Sequence, residues 1–110
     1  METTQPEFAF RPGVTADDVE TLRDFLAPRG WQTRRQITFA LDWSERKIRD
    51  VAESMGSDIV RGQRGFKLTD VLEREDFVSA IQAADAAISQ GKGLIRYGFA
   101  LKNKLHKKLA

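Results

Sequence analysis

Apolar residues recur at helical spacing in three successive segments between residues 15 and 55. Each set lies on one side of a 3.6-residue helix and is therefore expected to face a core. The sets are Val19, Leu22, Phe25 and Leu26; Ile37, Ala40 and Leu41; and Ile48, Val51, Ala52 and Met55. The pattern predicts three amphipathic helices packed around a shared apolar centre.

Capping residues mark where these helices begin. Thr15 stands three residues before Asp18, an arrangement in which each side chain hydrogen-bonds the other residue's backbone amide. Thr33 and Gln36 repeat this capping box before the second helix. Ser44 precedes the third helix, where its hydroxyl is placed to accept from an exposed amide. We therefore predict that the helices begin at these three hydroxyl residues.

A turn of about three residues separates the second helix from the third, which is helix-turn-helix spacing. Asp42 is acceptable in that turn because aspartate enters the left-handed backbone region more readily than most residues. After the third helix, two strand-like runs flank Gly62 and Gly65 and predict a β-hairpin over 59–69. Arg64 stands at the tip of this hairpin, where it has to be exposed.

The C-terminal part places apolar residues at alternating spacings of four and three from about residue 72 to 109. Such a stripe predicts one long helix with the seam of a coiled coil. The seam is imperfect, because Lys102 and two glycines occupy core positions in it; its members are Phe77, Ile81, Ala84, Ile88, Gly91, Ile95, Gly98, Lys102, Leu105 and Leu109. Its glycines predict either a kink or break near 89–93 or the close approach of a partner helix.

This long helix needs a partner for its apolar face, because it would extend far beyond a domain of this size. We favour self-association into a homodimer over a helical hairpin folded back within one chain. The expected dimerisation residues are Phe77, Ile81, Ala84, Ile88, Ile95 and Leu105. The chain then consists of an irregular arm over 1–14, a domain over 15–70 and the long helix over 71–110.

Composition limits the classes of function. With 31% of its 110 residues charged and 41% hydrophobic, the chain has no apolar run near the ~20 residues of a membrane span. It contains no cysteine, and its start, Met-Glu-Thr-Thr-Gln, lacks the regions of a secretory signal, so we expect a cytoplasmic protein. One histidine, no metal-spaced cluster and no glycine-rich phosphate loop argue against an enzyme, a metal site or a cofactor.

Positive charge increases toward the C-terminus, although the net charge is only +2. The balance is −3 over residues 1–30, +2 over 31–70 and +3 over 71–110. The third helix also places Arg46 and Arg49 on its outer side. This distribution indicates a polyanionic partner, while Asp50 and Glu53, each four residues after an arginine, also fit a solvated face with weak ion pairs.

The order of these elements, together with three short runs, resembles a winged helix-turn-helix domain and is similar to small phage and prophage winged-helix proteins. The runs are Trp-x-Thr-x-x-x-Ile at 31–37, Ala-Leu-Asp-Trp-Ser-Glu-Arg-Lys-Ile-Arg at 40–49 and Ile-Val-x-Gly-Gln-x-Gly-Phe-Lys-Leu-Thr at 59–69. The resemblance covers about residues 15–70 and departs at Asp42, where such turns usually have glycine. It implies an α+β, mainly α fold of three helices with a two- or three-stranded β-wing, followed by the long C-terminal helix.

The resemblance also implies binding of double-stranded DNA, with the third helix as the recognition helix in the major groove and the hairpin as the wing. The residues carried over by position are Ser44, Glu45, Arg46, Lys47 and Arg49 on the recognition helix, Arg34 and Arg35 for phosphates, and Arg61, Arg64 and Lys67 on the wing. Arginine and lysine suit these roles because they bind guanine edges and phosphates. The acids Asp50 and Glu53 lead us to expect that only the N-terminal half of the helix enters the groove.

Two functions follow from this interpretation. The first is a non-enzymatic DNA-binding protein, either a small phage-type or bacterial transcription regulator or a replication accessory protein. The alternative is a protein–protein interaction adaptor that uses the winged domain as a scaffold and the long helix to hold a partner, because a fold alone does not decide a function. The basic end over 102–108 either adds phosphate contacts or remains solvated.

Overall fold

The structure, a computed structural model, describes residues 11–90 and 94–109. Five α-helices and one two-stranded antiparallel sheet make up this part of the chain. In chain order the elements are α1 (Ala16–Leu26), α2 (Arg34–Leu41), α3 (Glu45–Ser54), β1 (Ile59–Gly62), β2 (Gly65–Leu68), α4 (Phe77–Gln90) and α5 (Ile95–Leu109). The chain is therefore α+β and mainly helical, as predicted. Residues 1–10 of the predicted arm lie outside the described residues.

The predicted helix starts are confirmed. The Thr15 hydroxyl accepts from the Asp18 amide at 3.1 Å, and the Thr15 amide donates to the Asp18 carboxylate at 3.1 Å. The same two bonds join Thr33 and Gln36, at 3.2 and 2.7 Å. Ser44 Oγ accepts from an amide in the first turn of α3 at 3.0 Å. Local hydrogen bonding alone therefore explains where α1, α2 and α3 begin.

The turn between α2 and α3 also follows its prediction. Asp42 ends α2 in the left-handed conformation, with φ 58° and ψ 38°. It is the one non-glycine residue with positive φ in the described part of the chain. A short polar side chain lowers the cost of this conformation, which lets the chain reverse within residues 42–44 and pack α3 against α2.

Two hydrophobic cores lie against opposite faces of the hairpin. The N-terminal core joins α1, α2 and α3 to the hairpin and consists of Leu22, Leu26, Ile37, Ile48, Val51, Ala52, Met55, Ile59 and Leu68. The C-terminal core joins α4 and α5 to the hairpin and consists of Val60, Leu72, Ala80, Ala84, Ala87, Tyr97, Leu101 and Leu105. The predicted burial of Ala40 is wrong, because only the Ile37 side of the short helix α2 is covered.

Hydrogen bonds reach both outer edges of the hairpin. In its register Arg61 lies opposite Phe66. The amide of Phe66 donates to the Gln32 carbonyl at 2.8 Å, and the amide of Gln32 donates to the Phe66 carbonyl at 3.0 Å. On the other edge the Tyr97 hydroxyl accepts from the Arg61 amide at 3.2 Å and donates to the Ile59 carbonyl at 3.0 Å. The hairpin is thus held between the α1–α2 connection and α5.

The prediction of one long C-terminal helix is wrong. The chain forms α4 and α5 as separate helices, and α5 folds back along α4. At Gly98 the helices are so close that an added Cβ would lie 2.5 Å from Ile88 Cγ1 and 2.7 Å from the Ala84 carbonyl oxygen. The alternative of a helical hairpin within one chain is therefore what the structure contains. The break predicted near 89–93 falls partly on residues 91–93, which lie outside the described residues.

The predicted dimerisation residues mainly serve this helical hairpin. Ala84 and Leu105 are fully buried in the C-terminal core, and Phe77 and Ile81 pack against it. Ile88 is half-buried, and Ile95 is 46% exposed. The stripe was assigned to a second chain because its spacing is the same whether another chain or the same chain covers it. Within the described residues, every helix is too short or too polar to cross a lipid bilayer.

Candidate nucleic-acid interface

A groove of about 1160 Å³ opens between the start of α2, α3, the hairpin and α4. We call it the arginine groove, because five arginines line it: Arg34, Arg35, Arg49, Arg61 and Arg64. Among the described residues that line it, Glu45 is the single acid. A concave surface with this excess of guanidinium groups attracts an anion, because the positive potentials of its walls add.

Arg34 and Arg35 project from the first turn of α2. Positive charge at a helix N-terminus opposes the helix dipole, so these arginines do not stabilise α2. Arg34 Nη1 lies 3.4 Å from Glu45 Oε1, and the two side chains are 59% and 72% exposed. An ion pair this exposed contributes little to stability, and a phosphate can replace Glu45 as the partner at low cost.

Arg49 lies in the middle of α3 on the side opposite its buried stripe. The stripe places Ile48 and Val51 fully in the N-terminal core, and the helical rotation turns Arg49 outward to the groove. In the described part of the chain, no acidic group is within ion-pair distance of Arg49. Its guanidinium is therefore free to make a bidentate contact with a ligand.

Two arginines of the hairpin are held against aromatic rings. Arg61 Cζ lies 4.1 Å from the centre of the Tyr97 ring, and its side chain is 18% exposed. Arg64 is at the tip, as predicted, with 51% of its side chain exposed. Its Cζ lies 4.9 Å from the centre of the Trp31 ring. Stacking of this kind orients a guanidinium, and the Arg64 guanidinium remains partly accessible to a ligand.

Lys67 is not available to a ligand, so its predicted role on the wing is wrong. Its side chain is only 10% exposed, and its Nζ donates to Asp76 Oδ2 at 2.6 Å. The cause is the hairpin register, which pairs Lys67 with Val60 of the C-terminal core. Lys67 therefore faces the chain's own interior, where a carboxylate neutralises it.

Asp76 is the buried acceptor for this part of the groove. Besides Lys67 it accepts from Trp31 Nε1 at 3.0 Å, from the Glu73 amide at 3.0 Å and from Arg64 Nη1 at 3.4 Å. Burial by itself raises the pKa of Asp76, but the bonds from Lys67, Glu73 and Trp31 outweigh it and lower the pKa to about 2. An ionised Asp76 therefore ties the hairpin to Trp31 and to the start of α4.

Three of the predicted recognition residues, Ser44, Arg46 and Lys47, do not line the arginine groove. The Ser44 hydroxyl is used as the cap of α3. Lys47 Nζ lies 3.2 Å from Asp18 Oδ1 and 4.7 Å from the centre of the Trp43 ring, so it faces α1. A hydrogen bond from the Thr15 amide, with help from Lys47, lowers the pKa of Asp18 despite partial burial. Arg46 is 82% exposed beside the groove.

Two of the three acids of α3, Asp50 and Glu53, lie beside arginines of the same chain. Arg46 Nε lies 3.9 Å from Asp50 Oδ2, and Asp50 is only 20% exposed. The Glu53 carboxylate lies 3.2 Å from Arg11 Nη1 and 3.9 Å from Arg61 Nη1. The repulsion that was expected between these acids and a polyanion is therefore reduced.

The sequence patterns missed two parts of the groove. Trp31 and Phe66 line it beside the arginines, although neither was among the predicted site residues. One face of α4 also lines it, because the back-folded α5 presses α4 against the hairpin. The predicted hairpin and helix periodicities contain no signal for this juxtaposition.

Comparison with known proteins leaves the arginine groove as the main evidence about function. No family model, no curated protein and no solved structure matches the chain. Within the described residues, no group of three or more His, Asp or Glu side chains is arranged to hold a metal ion.

Proposed function

We propose that the chain binds double-stranded DNA as a winged helix-turn-helix, with α2 and α3 as the helix-turn-helix and β1–β2 as the wing. The observation that carries the proposal is the convergence of five arginines and one acid on a single groove. Neutralisation of phosphates by such residues supplies most of the affinity in nucleic-acid binding. We further propose that the protein acts as a small phage-type or bacterial transcription regulator or replication accessory protein.

In this proposal the arginines that line the groove contact different parts of the DNA. Arg49, which is unpaired among the described residues, reads base edges in the major groove, where a guanidinium can bond guanine bidentately. Arg34 and Arg35 contact phosphates at the start of α2, and Arg64 contacts the backbone beside the wing. Arg61, largely buried against the Tyr97 ring, adds positive charge to the wall of the groove.

The test is fluorescence anisotropy of the protein with a labelled generic duplex between about 50 and 200 mM salt. We expect binding that weakens steeply as salt increases. Arg35→Ala should weaken binding about tenfold at low salt and reduce the salt slope by about 0.9, the value for the loss of one phosphate contact. Arg29→Ala is the matched control, because Arg29 is exposed outside the groove. Equal binding by the two variants would contradict the proposal.

A protein-interaction adaptor is the second candidate, and one observation favours it. Phe39 on α2 is 91% exposed, which is unusual for a large apolar side chain. In this alternative Phe39→Ser would abolish capture of a protein partner. In the proposal of DNA binding it leaves duplex affinity unchanged, because Phe39 does not line the groove.

A further inference from the structure

One face of α4 forms the wall of the arginine groove opposite α3. The α4 residues that line the groove are Ser79, Gln82, Ala83, Ala86, Ala87 and Gln90. These positions follow the spacing of a single helical face. All of α4 lies within the described residues, and Asp85 is the one charged residue of this helix. Asp85 does not line the groove, and its Oδ1 lies 3.0 Å from Lys102 Nζ. The wall is thus polar and small, without a charge that would repel phosphate.

The wall is fixed relative to the hairpin. A Cβ added at Gly62 would lie 3.3 Å from Ala83 Cβ, so the hairpin and α4 approach closely enough that any side chain at position 62 would crowd Ala83. The Tyr97 hydroxyl, bonded to Ile59 and Arg61, holds β1 on the α5 side. A duplex that contacts the hairpin and α3 therefore also comes beside α4.

The chemistry of this face suits uncharged contacts to DNA. Gln82 and Gln90 are exposed, and each amide can donate to a phosphate oxygen and accept from another group. Eight residues of helix separate them by about 12 Å, which equals the rise of three to four base pairs along a duplex axis at about 3.4 Å each. Between them, the small side chain of Ala86 allows a sugar–phosphate strand to approach closely.

We infer that α4 is a second DNA-contacting helix, whose Gln82 and Gln90 side chains hydrogen-bond the sugar–phosphate backbone of the duplex strand that lies along the arginine groove. The inference rests on the proposed DNA binding and adds a wall that contributes hydrogen bonds but no charge. Removing the two amides weakens affinity while leaving the number of neutralised phosphates the same.

The first test compares Gln82→Ala/Gln90→Ala with Asn103→Ala, which removes an exposed amide from α5 outside the groove. Alanine is a good helix former, so the double variant keeps its fold, as circular dichroism can check. We expect about tenfold weaker duplex binding for the double variant, an unchanged salt slope and no effect of Asn103→Ala. Binding equal to wild type, or a reduced slope, would overturn the inference.

The second test introduces a glutamate into α4, either on the face that lines the groove or outside that face. Ala86 and Ser89 are both exposed on α4, and only Ala86 lines the groove. Ala86→Glu should weaken duplex binding at least tenfold at 50 mM salt, whereas Ser89→Glu, with the same net charge, should change it less than twofold. Equal effects would overturn the inference. Absence of duplex binding by the wild-type protein would instead remove the proposed function.

Discussion

The two cores of the molecule differ in how they achieve their packing. The N-terminal core is built mainly from large aliphatic side chains, and its nine buried residues comprise six on the three helices, Met55 just after α3, and Ile59 and Leu68 of the hairpin. The C-terminal core relies on alanines, on Gly98 and on Tyr97, whose hydroxyl is bonded to the hairpin backbone. The first core tolerates shape changes at the cost of a cavity, whereas the second depends on close backbone approach and on matched polar groups.

The largest effect is expected in the N-terminal core. Ile48→Ala removes a fully buried side chain between α1, α2 and α3, and it should lower the free energy of unfolding by about 4 kcal/mol. Urea denaturation measures this loss. The control Ile95→Ala, at a site that is 46% exposed, should cost less than about 1 kcal/mol. A similar cost at both positions would remove the distinction between core and surface on which the comparison rests.

The second largest loss of stability is expected when Asp76, the buried carboxylate beside the C-terminal core, is replaced. Asp76→Asn leaves the Lys67 ammonium buried without its carboxylate, and we expect a loss of about 3 kcal/mol at neutral pH. Glu75→Gln, a charge-neutralising change at an exposed neighbour, is the control and should have little effect. An equal response of the two variants would show that Asp76 does not tie the hairpin to α4.

The ionisation of Asp76 also makes the free energy of unfolding depend on pH in the acid range. The pKa of Asp76 is lowered from 3.8 to about 2 in the folded chain, so folding favours its ionised form. Its contribution is complete above about pH 4 and is lost as the pH falls through about 2, which amounts to about 2 kcal/mol. Chemical denaturation from pH 5 to 2 should show this loss in the wild type and a shallower dependence in Asp76→Asn.

A smaller change in stability is expected at the contact between α4 and α5, where close packing and helix propensity predict opposite signs. In an isolated helix, replacing glycine by alanine stabilises by about 1 kcal/mol. At Gly98 the added methyl group would clash with Ile88 and with the Ala84 carbonyl, so Gly98→Ala should destabilise by about 2 kcal/mol. Gly30→Ala, in open space, is the control and should change thermal stability little. A higher melting temperature for Gly98→Ala would contradict the close packing described for α4 and α5.

Most of the region over 15–70 was predictable because its signals are local. Thr15 and Thr33 each find their capping partner three residues away, and Asp42 needs only its own short side chain to adopt positive φ. The outward positions of Arg49 and Arg64 follow from helical and hairpin geometry. For these residues the period of the pattern and the type of turn decide the structure without reference to the rest of the chain.

The C-terminal part was not predictable in the same way because its contacts are distant in sequence. An apolar stripe shows that a helix needs cover but does not say which helix provides it, so Ala84 and Leu105 were assigned to a second chain. The burial of Lys67 depends on Asp76, and the α4 wall of the groove depends on how α5 folds back. Tertiary packing, rather than propensity, decided all three.

The bond between Tyr97 and the hairpin also has a consequence for synthesis of the protein. The hairpin is complete once Leu68 has been made, and Tyr97 follows 29 residues later, which a ribosome takes roughly 1.5 to 6 seconds to translate. A β-hairpin forms within about 10 μs, so β1 exists for seconds with its outer edge unoccupied. An open edge strand can pair with a neighbouring nascent chain, and the arrival of α5 ends that exposure.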